Sequence, residues 1–357
     1  MSFPYPKAKK ILPYLFFALC SLLFVSCSRR FEPEPLQLSV KQNLAMLQQD
    51  PQFVMYFDFA KMRETGFWKK FISDSIFNAE RSFGNFLNVF KNATGAGISG
   101  GIDELYFSNS WIGDNAMVIK GTFDKNKVFD YIRSDTNYAS LSYPGGITVY
   151  NQKPSHFYFY FKDDFTVCAS NYLKQIENTF GVRDTSVAGL LTNADAMSTI
   201  ENIKYKDNLW MMSDQKLFIR GIFENMANMH RTVKEKRPLP GGEDTSAVND
   251  STENGSSNLS MFYKTINAVS FSLKMTKDLD IVMQNECTDN ESAEDLRNKI
   301  EGIFALAKLS AQFSRKTPAV ILKILDRVDI NVYNNTLLLE AKLNEEQVTD
   351  IRKQKVF

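Results

Sequence analysis

Histidine is nearly absent from this chain: two occur in 357 residues, His156 and His230. Neither stands in a His-x-x-His or His-Glu-x-x-His spacing, and there is no Cys-x-x-Cys, so no metal set is expected and no cofactor is called for. Charge of one sign is also missing. The formal net charge is +1, and removing residues 1–26, which carry three lysines and no acid, takes it to −2. A body this close to neutral lacks the electrostatic footprint of a nucleic-acid binder. Long apolar runs are absent too. The longest, Ile11–Val25, holds 15 residues and contains Pro13, short of the roughly 20 that span a bilayer.

That short run sits in a telling context. Lys7, Lys9 and Lys10 precede it and Ser26-Cys27 follows, which is the layout of a secretory signal: a basic start, a brief apolar core, a small residue before the cut. Phe24-Val25-Ser26-Cys27 resembles the lipobox of bacterial lipoproteins, with Phe24 where leucine is usual and Ser26 where glycine or alanine is usual. The resemblance implies cleavage between Ser26 and Cys27, acylation of Cys27, and residence on a membrane of the bacterial cell envelope. Each buried methylene contributes about 0.8 kcal/mol, so several acyl chains hold a protein far more firmly than one. Ser28-Arg-Arg-Phe-Glu-Pro-Glu-Pro35 has no apolar periodicity, and its alternating prolines favour an extended spacer. Residues 1–26 are thus read as signal peptide and 27–40 as lipidated tether.

Cysteine is scarce. With Cys20 in the signal and Cys27 assigned to lipid, Cys168 and Cys287 remain. An oxidising compartment permits a bridge, but the two fall in different strand environments, and two half-buried thiols are expected instead.

What is plentiful is aromatic: 29 Phe and 14 Tyr predict strand-rich packing around a substantial core. Short alternating runs interleave with amphipathic helices, which predicts an α+β fold. Two related units are expected, 41–185 and 186–357, each an antiparallel-rich sheet with helices on one face. The basis is an internal match. Phe157–Phe161, a turn, Phe165–Ala169 and a helix stand against Val328–Val332, a turn, Leu337–Ala341 and a helix. Met117–Asp130 and Val282–Asp295 both read strand, turn, helix, and an ancient duplication accounts for both matches. Helices are expected at Lys61–Phe77, Gln215–His230 and Ser292–Phe313, and Asn344 and Gln347 form a capping pair for the last helix. The glycine- and serine-rich stretch 234–260 has too little apolar surface to offset its ordering entropy and reads as a mobile loop. The body is also diffusely similar to bacterial envelope lipoproteins and secreted proteins that open on a strand like Asp50-Pro-Gln-Phe-Val-Met-Tyr-Phe-Asp58.

No catalytic constellation assembles from the sequence. Gly95-Ala-Gly97-Ile-Ser-Gly100 fits G-x-G-x-x-G, but a helix precedes it and a strand follows, the reverse of a dinucleotide site. Asp163-Asp164 and Glu345-Glu346 fall in a turn and a first helical turn, where solvated acids are commonplace. Trp68, Phe71, Trp111 and Trp210 read as core, with an aromatic groove between units as the alternative. The expected role is therefore binding or scaffolding by a lipid-anchored envelope protein, its partners the membrane and a protein or peptide. A receptor with a small-molecule or peptide cleft between the units is the second reading. The third is an enzyme with dispersed residues.

Overall fold

The computed structural model describes residues 34–72, 81–183, 187–224, 263–313 and 324–353, and these described residues fall in one compact unit. The signal segment with Ser26 and Cys27, His230, the 234–260 stretch and the last part of the helix expected to end there lie outside the described residues.

Among the described residues twelve strands form a single antiparallel sheet. They are β1 (Phe53–Asp58), β2 (Ile102–Asn109), β3 (Asn115–Gly121), β4 (Tyr138–Tyr143), β5 (Ile147–Gln152), β6 (Phe157–Phe161) and β7 (Thr166–Ser170) in the first half of the chain. The second half adds β8 (Leu209–Ser213), β9 (Ile266–Met275), β10 (Leu279–Cys287), β11 (Val328–Tyr333) and β12 (Thr336–Leu343). Across the sheet the order is β4-β5-β6-β7-β3-β2-β1-β8-β9-β10-β12-β11. Read outward from the middle, β1-β2-β3-β7-β6 and β8-β9-β10-β12-β11 follow the same sequence of steps: first, second, third, last, next-to-last.

The two expected sheets are thus one, joined where β1 pairs with β8. The reason lies in composition. Phe53-Val-Met-Tyr-Phe57 and Leu209-Trp-Met-Met212 are apolar on both faces, and a strand apolar on both faces belongs inside a sheet with cover above and below.

The helices are α1 (Leu38–Leu44), α2 (Phe59–Glu64), α3 (Gly66–Phe71), α4 (Arg81–Thr94), α5 (Lys125–Ser134), α6 (Leu173–Thr179), α7 (Ala194–Glu201), α8 (Asn290–Phe313) and α9 (Glu345–Lys353); residues 216–224 are helical as well. The helix expected over Lys61–Phe77 is broken in two. Thr65 is extended, and its hydroxyl accepts from the Trp68 amide at 3.1 Å, ending α2 and capping α3 in one residue. Asp58 caps α2 and Asp124 caps α5 in the same way. At α9, the amide of Asn344 donates to Gln347 Oε1 at 2.9 Å and the Gln347 amide donates to Asn344 Oδ1 at 3.0 Å, the reciprocal pair expected from sequence.

Helices lie on both faces of the first half, where one was expected. Phe57, Leu105, Ile119, Phe159 and Val167 point to the face covered by α2 to α5, with Phe67, Phe90 and Val128 packed on them. Their strand neighbours Tyr56, Tyr106, Val118, Tyr160 and Cys168 point the other way, under Leu44 of α1, Ile176 of α6 and Ile200 of α7. The α1 cover begins earlier than the tether was expected to end: Leu36 and Val40 are already buried. A third cluster joins Ile219, Phe223, Val269, Cys287, Leu296 and Leu337 beneath α8.

Candidate functional site

Beside the junction of the two halves, β1, β2 and β3 set polar side chains opposite one another, a natural place to look for chemistry. Cross-strand pairing puts Trp210, Tyr56, Tyr106, Val118, Cys168 and Tyr160 in one row across six strands. The Tyr56 ring stacks on Trp210 at 5.6 Å and meets Tyr106 at 4.7 Å. In the adjacent row, Asp58, Glu104 and Lys120 stand directly opposite one another on β1, β2 and β3. Each tyrosine reaches along its own strand to an acid: Tyr56 Oη donates to Asp58 Oδ2 at 3.4 Å and Tyr106 Oη to Glu104 Oε2 at 3.3 Å.

Two carboxylates facing each other across strands repel, and the surroundings show how that is handled. Asp58 is 3% exposed; its carboxylate accepts from the Lys61 amide at 2.8 Å and pairs with Lys61 Nζ at 2.7 Å. It is thereby committed to starting α2. Glu104 has no such cap. Burial raises its pKa above the ordinary value, the Lys120 ammonium pulls it back in part, and Asp58 adds to the rise. Burial likewise pushes both tyrosine hydroxyls well above the usual range, so they act as neutral donors. The side-chain amide of Asn43, on α1 above this row, is buried beside the Tyr106 hydroxyl and pulls its pKa back in part.

The consequence for stability has a definite sign. A carboxyl whose folded pKa is raised keeps its proton longer in the native state, so stability falls as pH climbs from the unfolded pKa through the folded one. Glu104→Gln is therefore expected to raise the thermal midpoint at pH 7, and the gap to the parent is expected to close below about pH 4, under the ordinary glutamate value. Scanning calorimetry of both proteins across that range checks it; a gap independent of pH defeats the explanation.

A second polar group lies on the same face between β9, β10 and α7. Thr199, Asn202, Ser270, Gln284, Glu286 and Thr336 line a cavity of about 20 Å³. That is room for about one water, far below the 300–1,000 Å³ of ligand pockets. Gln284 Nε2 donates to the Asn202 carbonyl at 3.1 Å, and burial raises the Glu286 carboxyl. At the junction of the halves, where the alternative reading puts a cleft, β1 and β8 are hydrogen-bonded neighbours.

The residues singled out from sequence have structural occupations. Trp68, Phe71 and Trp210 are buried as expected, whereas Trp111 is 47% exposed at the β2–β3 turn. Gly95, at φ +73, ends α4 through a bond from its amide to Lys91 O, and Gly97 and Gly100 bond each other in the turn to β2. The same stretch holds Gly97-Ile-Ser99-Gly100-Gly101, a Gly-x-Ser-x-Gly pattern that is easily overlooked. It runs from helix to strand, opposite to a nucleophile elbow, and Ser99 is exposed. Asp163 Oδ1 accepts from the Phe165 amide at 2.8 Å, Asp164 pairs with Lys125 at 2.6 Å, and Glu345 pairs with Lys70. His156 sits at φ +49 closing a short turn before β6.

Cys168 and Cys287 are free, buried, and on opposite faces of the sheet in separate clusters. Burial pushes each thiol up to about 11, which leaves them poor nucleophiles at neutral pH. Among the described residues no group of three or more His, Cys, Asp or Glu is placed to hold a metal, and no helix is long and apolar enough to cross a membrane.

No family model matches the chain. No curated protein sequence matches it either. Among solved structures it is similar to TP0453 in several crystal forms. Form I gives a TM-score of 0.43 at 12% identity, over 90% of this chain and 99% of that one. Form III gives 0.44 at 9%, over 87% and 97%, and form IV gives 0.41 at 10%, over 88% and 95%.

Proposed function

We propose that this chain is a lipid-anchored protein of the bacterial cell envelope that binds or scaffolds other envelope components without catalysis. The observation that carries the reading is in the sequence: the lysines at 7, 9 and 10, the short run Ile11–Val25, and Ser26-Cys27 at its end. Cys27 becomes the acylated first residue, and the proline-spaced residues after it hold the body off the surface. The acids of the β1–β2–β3 row suit a non-catalytic role: buried Asp58 caps a helix and half-buried Glu104 takes the Tyr106 hydroxyl. The shared strand order of the two halves supports an origin by duplication.

The test is Cys27→Ser in a bacterial host. Radiolabelled palmitate is expected to enter the parent and not the variant, which accumulates as unprocessed precursor. A variant labelled and matured like the parent removes the lipoprotein reading.

A further inference from the structure

The sheet ends on one side at β4, and the composition of that strand is unusual for an edge. Tyr138-Ala-Ser-Leu-Ser-Tyr143 contains no charge, no lysine and no proline, the residues that ordinarily keep open edges from pairing. Ser140, Leu141 and Ser142 are all exposed, and among the described residues no strand lies beyond them. The opposite edge, β11, differs: it carries Asp329, its other residues are half-buried, and α8 packs along it.

The hydrogen-bond register identifies which β4 groups are available. In an antiparallel pair, alternate residues bond inward to the partner. The Lys153 amide donates to Asn137 O at 2.9 Å, which fixes 137, 139, 141 and 143 as the inward-bonding positions toward β5. Tyr138, Ser140 and Ser142 therefore direct their amides and carbonyls away from the sheet. Of these, the Tyr138 amide already donates to Asp135 O at 3.0 Å. Residue 144 is proline and has no amide to give. The free stretch is bounded at both ends, and it comprises Ser140 and Ser142.

We propose that β4 pairs antiparallel with β4 of a second copy of this chain about a two-fold axis through Leu141. In that register Ser140 of one copy faces Ser142 of the other, twice over, and all four free amides meet free carbonyls. Shifting by one step either way opposes Ser140 to Pro144 or Ser142 to the already bonded Tyr138, and bonds are lost. Leu141 then faces its own symmetry mate in a non-hydrogen-bonded pair, where side chains come closest, about 4.5 Å between Cα atoms. No like charges are opposed anywhere along the strand, because it has none. Four backbone bonds and one leucine pair make a contact below the roughly 1,200 Å² of stable interfaces, so the dimer is transient and its test is a covalent trap.

The test introduces Leu141→Cys in the full chain carrying Cys20→Ser and Cys27→Ser, purified in detergent and exposed to a mild copper–phenanthroline oxidant. Closely spaced non-hydrogen-bonded positions suit a disulfide, and the remaining native thiols are buried. A covalent dimer is expected within minutes at micromolar protein. Ala139→Cys and Tyr143→Cys, which face each other rather than themselves, are expected to give at least tenfold less when each is used alone. Ser142→Lys added to Leu141→Cys is expected to suppress the dimer by a similar factor. No dimer at 141, or equal yields at 139, 141 and 143, overturns the proposal. So does a trap in whole cells that captures a different protein at 141 and never a second copy.

Discussion

Gly121→Ala is expected to cost the fold about 3 kcal/mol, although it adds a single methyl group. Gly121 ends β3, where its amide donates to Phe165 O at 3.0 Å and the next amide, of Thr122, donates to Gly101 O at 2.9 Å. A β-carbon on Gly121 falls 1.9 Å from the Gly101 carbonyl oxygen and 3.0 Å from its carbon. Both obstacles are backbone, so no side chain can swing aside. Nor is Gly101 free to retreat: it sits at φ +93, and its own β-position is 2.7 Å from Ala96. The turn is fastened further by Arg63, whose Nη1 donates to Ile98 O at 2.9 Å and Ile102 O at 2.6 Å while Nη2 pairs with Asp103 at 2.6 Å. Urea unfolding checks the prediction through a lowered midpoint at unchanged slope. Two other glycines calibrate it. Gly113 is at φ +88 with open space around it, so alanine there is expected to cost only about 1 kcal/mol. Gly302 lies inside α8 with nothing near, and alanine there is expected to stabilise by roughly 0.5–1 kcal/mol. Equal losses at 113 and 121 mean the close approach is not the cause.

Those glycines also show where sequence reading succeeds and where it stops. Local rules are legible. Asp124, the Asn344–Gln347 pair and the Asn334-Asn335 hairpin each act within a few residues, and each appears in the structure. The alternation of Phe157, Tyr158, Phe159 and Tyr160 makes both faces of its strand aromatic, and β6 is accordingly an interior strand with Phe159 in one cluster and Tyr160 in the other. Non-local choices leave no such mark. Nothing in Gly95–Gly101 announces that Gly121, twenty residues on, must also lack a side chain. The Lys61–Phe77 pattern is helical in period, but Thr65 ends one helix and caps the next. β4 does alternate, Ala139, Leu141 and Tyr143 against Ser140 and Ser142, but the pattern is short and weakly apolar, and at the sheet edge those residues stay exposed or half-buried. The candidate site fared likewise. Asp58, Glu104 and Lys120 are 16 to 62 residues apart, and only the registers of β1, β2 and β3 bring them abreast.

Trp210→Ala addresses whether the two halves are two folding units or one. Trp210 is 1% exposed, stacked on Tyr56 across the β8–β1 pair that joins the halves. Truncating a buried tryptophan removes its transfer energy and leaves a cavity, a loss of about 3–5 kcal/mol. At roughly 2 °C per kcal/mol for a chain of this size, the melting midpoint is expected to fall by about 5–10 °C. The shape of the transition carries more information than the shift. Core residues do not sort by half: Met275, Leu279 and Leu343 share a cluster with Leu105 and Phe159, while Trp210 and Met212 share the opposite one with Val54 and Tyr106. Unfolding either half alone strips cover from both faces of the other and bares an edge at β1 or β8. One coincident transition by near- and far-ultraviolet circular dichroism is therefore expected in the parent and in the variant. Two transitions, with Trp210→Ala moving only the one that reports the second half, mean that the halves fold independently and that the β1–β8 pairing is a docking contact laid down afterwards.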